Sequence, residues 1–169
     1  MVSKISVPVI MKDKLLYDFC KRLPKIELHA HLSGSIRGRT LIELADERNV
    51  KLPEDFLLAY KSEQEEEVFF VSSSMKRSLS DCFRLFAFIP QCVNDLEALR
   101  RITVEVLEDA ASDHVSYIEL RTGPKALLLD SSNKKAGRDE SGASSATRCS
   151  KKQYITTIVS IMEVFEQNK

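Results

Sequence analysis

His29 and His31 are two of only three histidines in the chain, and they stand two residues apart in Lys25-Ile26-Glu27-Leu28-His29-Ala30-His31-Leu32. Ile26, Leu28, Ala30 and Leu32 alternate with Glu27, His29 and His31, which is the period of a strand. Both imidazoles therefore project from one face, with their Cα atoms roughly 7 Å apart. Two such nitrogens can share one zinc ion at Zn–N distances of about 2.0–2.1 Å. The same pair also reads as two structural histidines satisfied by hydrogen bonds. Two features favour the metal. Glu27 is expected on the same face one pleat earlier, and the pair lies at the C-terminal end of the strand, just before Gly34, where parallel α/β folds build their sites.

The rest of the sequence supplies elements to hold that strand. Leu15, Leu16, Phe19 and Cys20 are spaced for a helix over 11–22, ending before Pro24. A polar turn from Ser35 leads into a helix over 40–49, and a further helix is expected from Pro53 to about Glu67, its acidic end a solvated face. Ser78 and Asp81 form a capping-box pattern for a helix running from Leu79 to Ile89, which Pro90 is expected to bend or stop. Asn94 and Glu97 repeat the pattern for a helix through Ala111, with Leu96, Leu99, Ile102 and Val106 as its buried stripe. Asp113 and His114 turn the chain into a second strand, Val115 to Thr122, and His114 is the kind of residue that tolerates positive φ at such a turn. Residues 130–152 carry too few apolar side chains to offset the entropy of ordering and are expected to be a disordered loop. Helical spacing returns at Tyr154, Ile158, Ile161, Met162 and Phe165. The order is that of an α/β fold with two strands, too few for a comfortable free-standing sheet.

Composition narrows the partners. The 169 residues hold 25 Lys plus Arg against 25 Asp plus Glu, and this balance lacks the cationic excess that nucleic acid or an anionic membrane surface would require. No apolar run approaches a membrane span, and the N-terminus does not read as a signal peptide, so a cytoplasmic location is expected. Cys20, Cys82, Cys92 and Cys149 form no CxxC pair and suit reduced, partly buried thiols. The length falls below the roughly 200 residues that a closed (β/α)8 barrel needs at minimum.

The segment Leu23-Pro24-Lys25-Ile26-Glu27-Leu28-His29-Ala30-His31-Leu32-Ser33-Gly34-Ser35-Ile36 closely resembles the first-strand motif of the adenosine deaminase family, in particular its adenosine deaminase-like branch, the N6-methyl-AMP deaminases. Residues 78–86, Tyr117-Ile118-Glu119-Leu120-Arg121-Thr122-Gly123-Pro124-Lys125 and Lys151-Lys152-Gln153-Tyr154 resemble later stretches of that branch in the same order. The resemblance implies the N-terminal part of a (β/α)8 TIM barrel spanning residues 1–169, incomplete in this chain. It also implies zinc-dependent hydrolytic deamination at C6 of an adenine nucleoside or nucleotide monophosphate by the complete protein. By the same resemblance His29 and His31 are two zinc ligands, and His31, Ser33, Arg121, Thr122, Gly123 and Pro124 line the substrate site. A guanidinium at Arg121 suits a phosphate; as a strand-end residue it could equally pair with Glu119 or Glu27.

Departures from the family pattern qualify the expectation. Ser33 stands where the branch has Asn, and its hydroxyl reaches less far. Pro90 stands where a His near the nucleotide is expected, and it can donate nothing. The remaining zinc His, the His-Ala-Gly-Glu segment with its proton-shuttling Glu, and the Asp-Asp pair do not occur, so the catalytic residues are expected downstream and the chain alone is expected to be inactive. Two alternatives stay open: another amidohydrolase beginning with HxH, and a noncatalytic short isoform that binds a partner.

Overall fold

A computed structural model of the chain describes residues 14–54, 57, 86–129 and 147–168. Helix α1 (Lys14–Arg22) leads into strand β1 (Lys25–His31) and a single 3-10 turn (Leu32–Gly34), followed by α2 (Gly38–Glu47). A one-turn helix α3 (Ile89–Cys92), a long α4 (Leu96–Ser112), strand β2 (Val115–Arg121) and α5 (Lys151–Gln167) complete the order. The helix expected from Pro53 starts within the described residues, where Glu54 is helical and the Leu57 amide donates to Pro53 O, but the rest of it and most of that expected from Leu79 lie outside them, as does Cys82. Strands β1 and β2 pair in parallel, which two sequential strands can do only across a long connection, here one that includes α2 and α4.

The apolar stripe of α4 holds the layers together. Leu96, Leu99, Ile102 and Val106 are all buried, and they meet Leu41 and Leu44 of α2, Ile89 of α3, and Tyr154 and Ile158 of α5 in one core. Polar contacts fix the angle between α2 and α4: Thr40 Oγ1 donates to Glu105 Oε2 at 2.6 Å, Arg37 Nη2 reaches Asp109 at 2.7 Å, and Arg101 pairs with Glu43. His114 takes φ 56°, as its place in the turn before β2 predicts, and its carbonyl accepts from the Lys25 amide to start the strand pairing. Cys92 and Cys149 are buried free thiols, and Cys20 is an exposed one.

Three local expectations need correction. The break expected at Pro90 falls slightly earlier, at the turn of Ala87 and Phe88, and Pro90 itself lies in the first turn of α3, where a missing N–H costs nothing. The cap of α4 is Asp95 rather than Asn94: Asp95 is extended and its carboxylate accepts from the Ala98 amide at 2.8 Å, while Asn94 Oδ1 accepts from Arg48 Nε. The loop expected over 130–152 ends earlier. Residues 130–146 lie outside those described, but Arg148 bridges to Leu128, Cys149 is buried, and Ser150 with Gln153 forms a capping box that opens α5 at Lys151. A bridge to Leu128, one buried thiol and one cap hold a stretch whose composition reads as disordered.

Candidate active site

The C-terminal ends of β1 and β2 come together because the strands are parallel, and their last residues, His31 and Arg121, are partners in register. What fixes the end of β1 is Leu32, only 1 % exposed, which enters the core directly after the strand. Ser35 then closes the 3-10 turn by donating from its amide to Leu32 O and from its hydroxyl to His31 O.

His29 and His31 are exposed on the strand, and their Nε2 atoms lie 3.1 Å apart. Such a separation fits an N–H···N hydrogen bond between neutral rings. It equally fits two ligands of one ion, since bonds of about 2.0–2.1 Å to nitrogens 3.1 Å apart enclose an angle of roughly 100°, close to tetrahedral. Among the described residues no group of three or more His, Cys, Asp or Glu is placed to hold a metal ion. Glu27 in particular does not join the pair as the simple alternation suggested. The pairing with β2 slips between Glu27 and Ala30, and Glu27 Oε1 accepts from the His29 backbone amide at 2.8 Å instead.

Arg121 Nη2 donates to Glu119 Oε2 at 3.0 Å and to Leu28 O at 3.4 Å, so of the two pairings open from sequence the one with Glu119 is formed. The hydrogen bond and charge of Glu119 also push the Tyr117 phenol above its ordinary range. Beyond the strand ends, Ser33, Thr122 and Gly123 share a small cleft with Pro90, Lys125 and Tyr154. The Tyr154 hydroxyl lies 2.8 Å from Thr122 Oγ1. The cleft has a volume of about 50 Å³, against the roughly 300–1,000 Å³ of a ligand pocket, so these residues form part of a wall rather than a whole pocket. Pro124 is half-buried outside it. Lys125 and Tyr154 join the cleft although nothing in their local spacing points to a shared wall, which depends on α5 packing against the end of β2.

A profile of the adenosine deaminase domain matches residues 24–141. The chain is 39% identical over 113 residues to the adenosine deaminase of Vibrio vulnificus, covering 64% of this chain and 32% of that protein. It is 44% identical over 108 residues to the N6-mAMP deaminase of Arabidopsis thaliana, with 64% and 28% coverage, and 31% identical over 153 residues to the human N6-methyl-AMP deaminase, with 90% and 34% coverage. The structure superposes on the apo N6-methyl-AMP deaminase of Arabidopsis thaliana with a TM-score of 0.54 and 34% identity, over 86% of this chain and 35% of that one. The chain thus spans about a third of the length of the curated relatives it matches. Its fold is the corresponding portion of their α/β barrel, and β1 and β2 are neighbouring parallel strands of that barrel. The chain belongs to the adenosine deaminase family.

Proposed function

We propose that the complete protein hydrolytically deaminates adenine nucleosides or nucleotides at C6, with a monophosphate such as N6-methyl-AMP as the favoured substrate and zinc as the cofactor. The observation that carries this reading is the His29–His31 pair, with Nε2 atoms 3.1 Å apart at the end of β1 and in register with Arg121. His29 and His31 would hold the zinc, and the chemistry of two neutral imidazoles fits it. When bound there, zinc supplies a water nucleophile at neutral pH.

The chain's own residues would then bind and orient the purine nucleotide. Ser33 and Thr122 offer hydroxyls at the strand ends, and Gly123 and Pro124 shape the backbone beside them. Arg121 is the phosphate partner. Both of its contacts among the described residues use Nη2, which leaves Nε and Nη1 as donors for a phosphate. Support for the monophosphate comes from the Arabidopsis relative, whose structures were solved in complex with IMP and with GMP, and from the human relative, an N6-methyl-AMP deaminase. No helix among the described residues is long and apolar enough to cross a membrane.

An ultraviolet assay for inosine or IMP formation tests the proposal. Residues 1–169 alone should give no measurable turnover, because two ligands fall short of the three that catalytic zinc usually takes. A chain extended to the length of its relatives should deaminate N6-methyl-AMP and lose that activity in His29→Ala and His31→Ala. Turnover by the extended chain that survives both substitutions defeats the reading, and preference for adenosine over the monophosphate moves the substrate to the nucleoside.

A further inference from the structure

Two slips interrupt the β1–β2 pairing, one between Lys25 and Ile26 and one between Glu27 and Ala30, and the second falls on the peptide that carries the first histidine. Glu27 pairs with Ile118 and Ala30 with Leu120, so three steps along β1 answer two along β2. A bulge of this kind takes a peptide unit out of the ladder and leaves its donor and acceptor to be satisfied otherwise. Here the unit is Leu28–His29, and a side chain meets each of its polar groups. The His29 N–H donates to Glu27 Oε1 at 2.8 Å, and Leu28 O accepts from Arg121 Nη2 at 3.4 Å. Arg121 is in turn held by Glu119. The carboxylate bond, at 2.8 Å, has the length of the strong charge-assisted kind, and the guanidinium contact, at 3.4 Å, is the longer and weaker of the two.

We propose that Glu27 is a positioning residue for the metal centre: its carboxylate, with Arg121 opposite, clamps the bulged Leu28–His29 peptide and so sets the His29 imidazole beside that of His31. The inference rests on the reading of the histidine pair as metal ligands and deepens it. Glu27 itself is no ligand in this account: its Oε1 accepts from a backbone amide, and among the described residues it does not join the two histidines in a group placed to hold a metal ion. Outer groups that orient ligands in this way typically carry about tenfold or more in metal affinity.

The test is zinc binding by isothermal titration calorimetry on the 169-residue chain, together with hydrogen exchange at the His29 amide. Glu27→Ala should weaken zinc about tenfold and speed exchange at His29. Glu27→Gln, which keeps an oxygen acceptor, should retain the affinity within about twofold and the amide protection; this variant also decides the matter if Glu27→Ala fails to fold. Glu27→Gln losing zinc as completely as His31→Ala would make Glu27 a ligand and overturn the clamp. So would an unprotected His29 amide in the unmodified chain, or zinc affinity unchanged in Glu27→Ala. No zinc binding by the unmodified chain overturns the clamp, and binding indifferent to His29→Ala and His31→Ala overturns the metal reading with it.

Discussion

The hydroxyl of Tyr154, on the first turn of α5, meets Thr122 Oγ1 just beyond the end of β2 at 2.8 Å. Tyr154 is buried in the core while Thr122 lines the cleft, so one hydrogen bond ties the packing of the last helix to the wall of the site. Tyr154→Phe keeps the ring and removes the bond. Stability should fall by about 0.5–1.5 kcal/mol, read from urea unfolding midpoints, and the cleft residues should broaden in amide spectra. An unchanged midpoint and spectrum would mean that the bond does not order the cleft.

The same residue enters the alkaline limit of the fold. Burial pushes the Tyr154 phenol above its ordinary 10.0, partly offset by the Thr122 hydrogen bond, and burial pushes the Cys92 thiol above 9.0, partly offset by Arg48. Both are neutral acids held protonated in the folded state. The unfolded chain therefore releases these protons first, and stability present below pH 9.0 should decline as pH rises through the folded values. Melting temperature followed from neutral pH upward should drop across this window, and less steeply in Tyr154→Phe. A flat profile in both proteins would count against these two buried groups.

Arg48 and Asp95 form an ion pair at 2.6 Å, with side chains 8% and 0% exposed. Asp95 also caps α4, so the pair joins the end of α2 to the start of the helix that carries the core. Arg48→Met should leave a buried carboxylate without its cation and cost about 3–5 kcal/mol, measured by denaturant unfolding. A loss below about 1 kcal/mol would place the pair among ordinary surface bridges.

Ile26, Leu28 and Tyr117 are 69%, 56% and 53% exposed on the two strands, and a groove of about 410 Å³ lined by Ile118, Leu120, Ile155, Val159 and Met162 runs beside β2. Among the described residues each strand has one partner, so this apolar surface adjoins open edges. The 169-residue chain should associate with itself as concentration rises. Sedimentation velocity should show this, and Ile26→Lys with Leu28→Lys should shift the distribution toward monomer. A monomer at all concentrations without substitution would contradict it.

Much of this architecture is legible in the sequence, because it follows from periodicity and turn chemistry. The HxH strand, the buried stripe of α4, strand β2 and the positive φ at His114 can all be read locally. What escapes is set by contacts distant in sequence. The bulge that turns Glu27 from a presumed neighbour of the imidazoles into a backbone acceptor arises from pairing with β2, which alternation within β1 cannot reveal. The cap of α4 falls on Asp95 because Asn94 is drawn to Arg48 and to Leu128, both remote. Residues 147–152 are ordered by a bridge to Leu128 and by the burial of Cys149, neither of which their composition suggests.

Zinc K-edge X-ray absorption of the zinc-loaded chain shows whether the end of β1 is half of a metal centre. Two imidazole nitrogens at about 2.0–2.1 Å are expected, with one imidazole lost in His29→Ala and one in His31→Ala. A first shell of sulfur, or an imidazole signature that neither substitution alters, would contradict it.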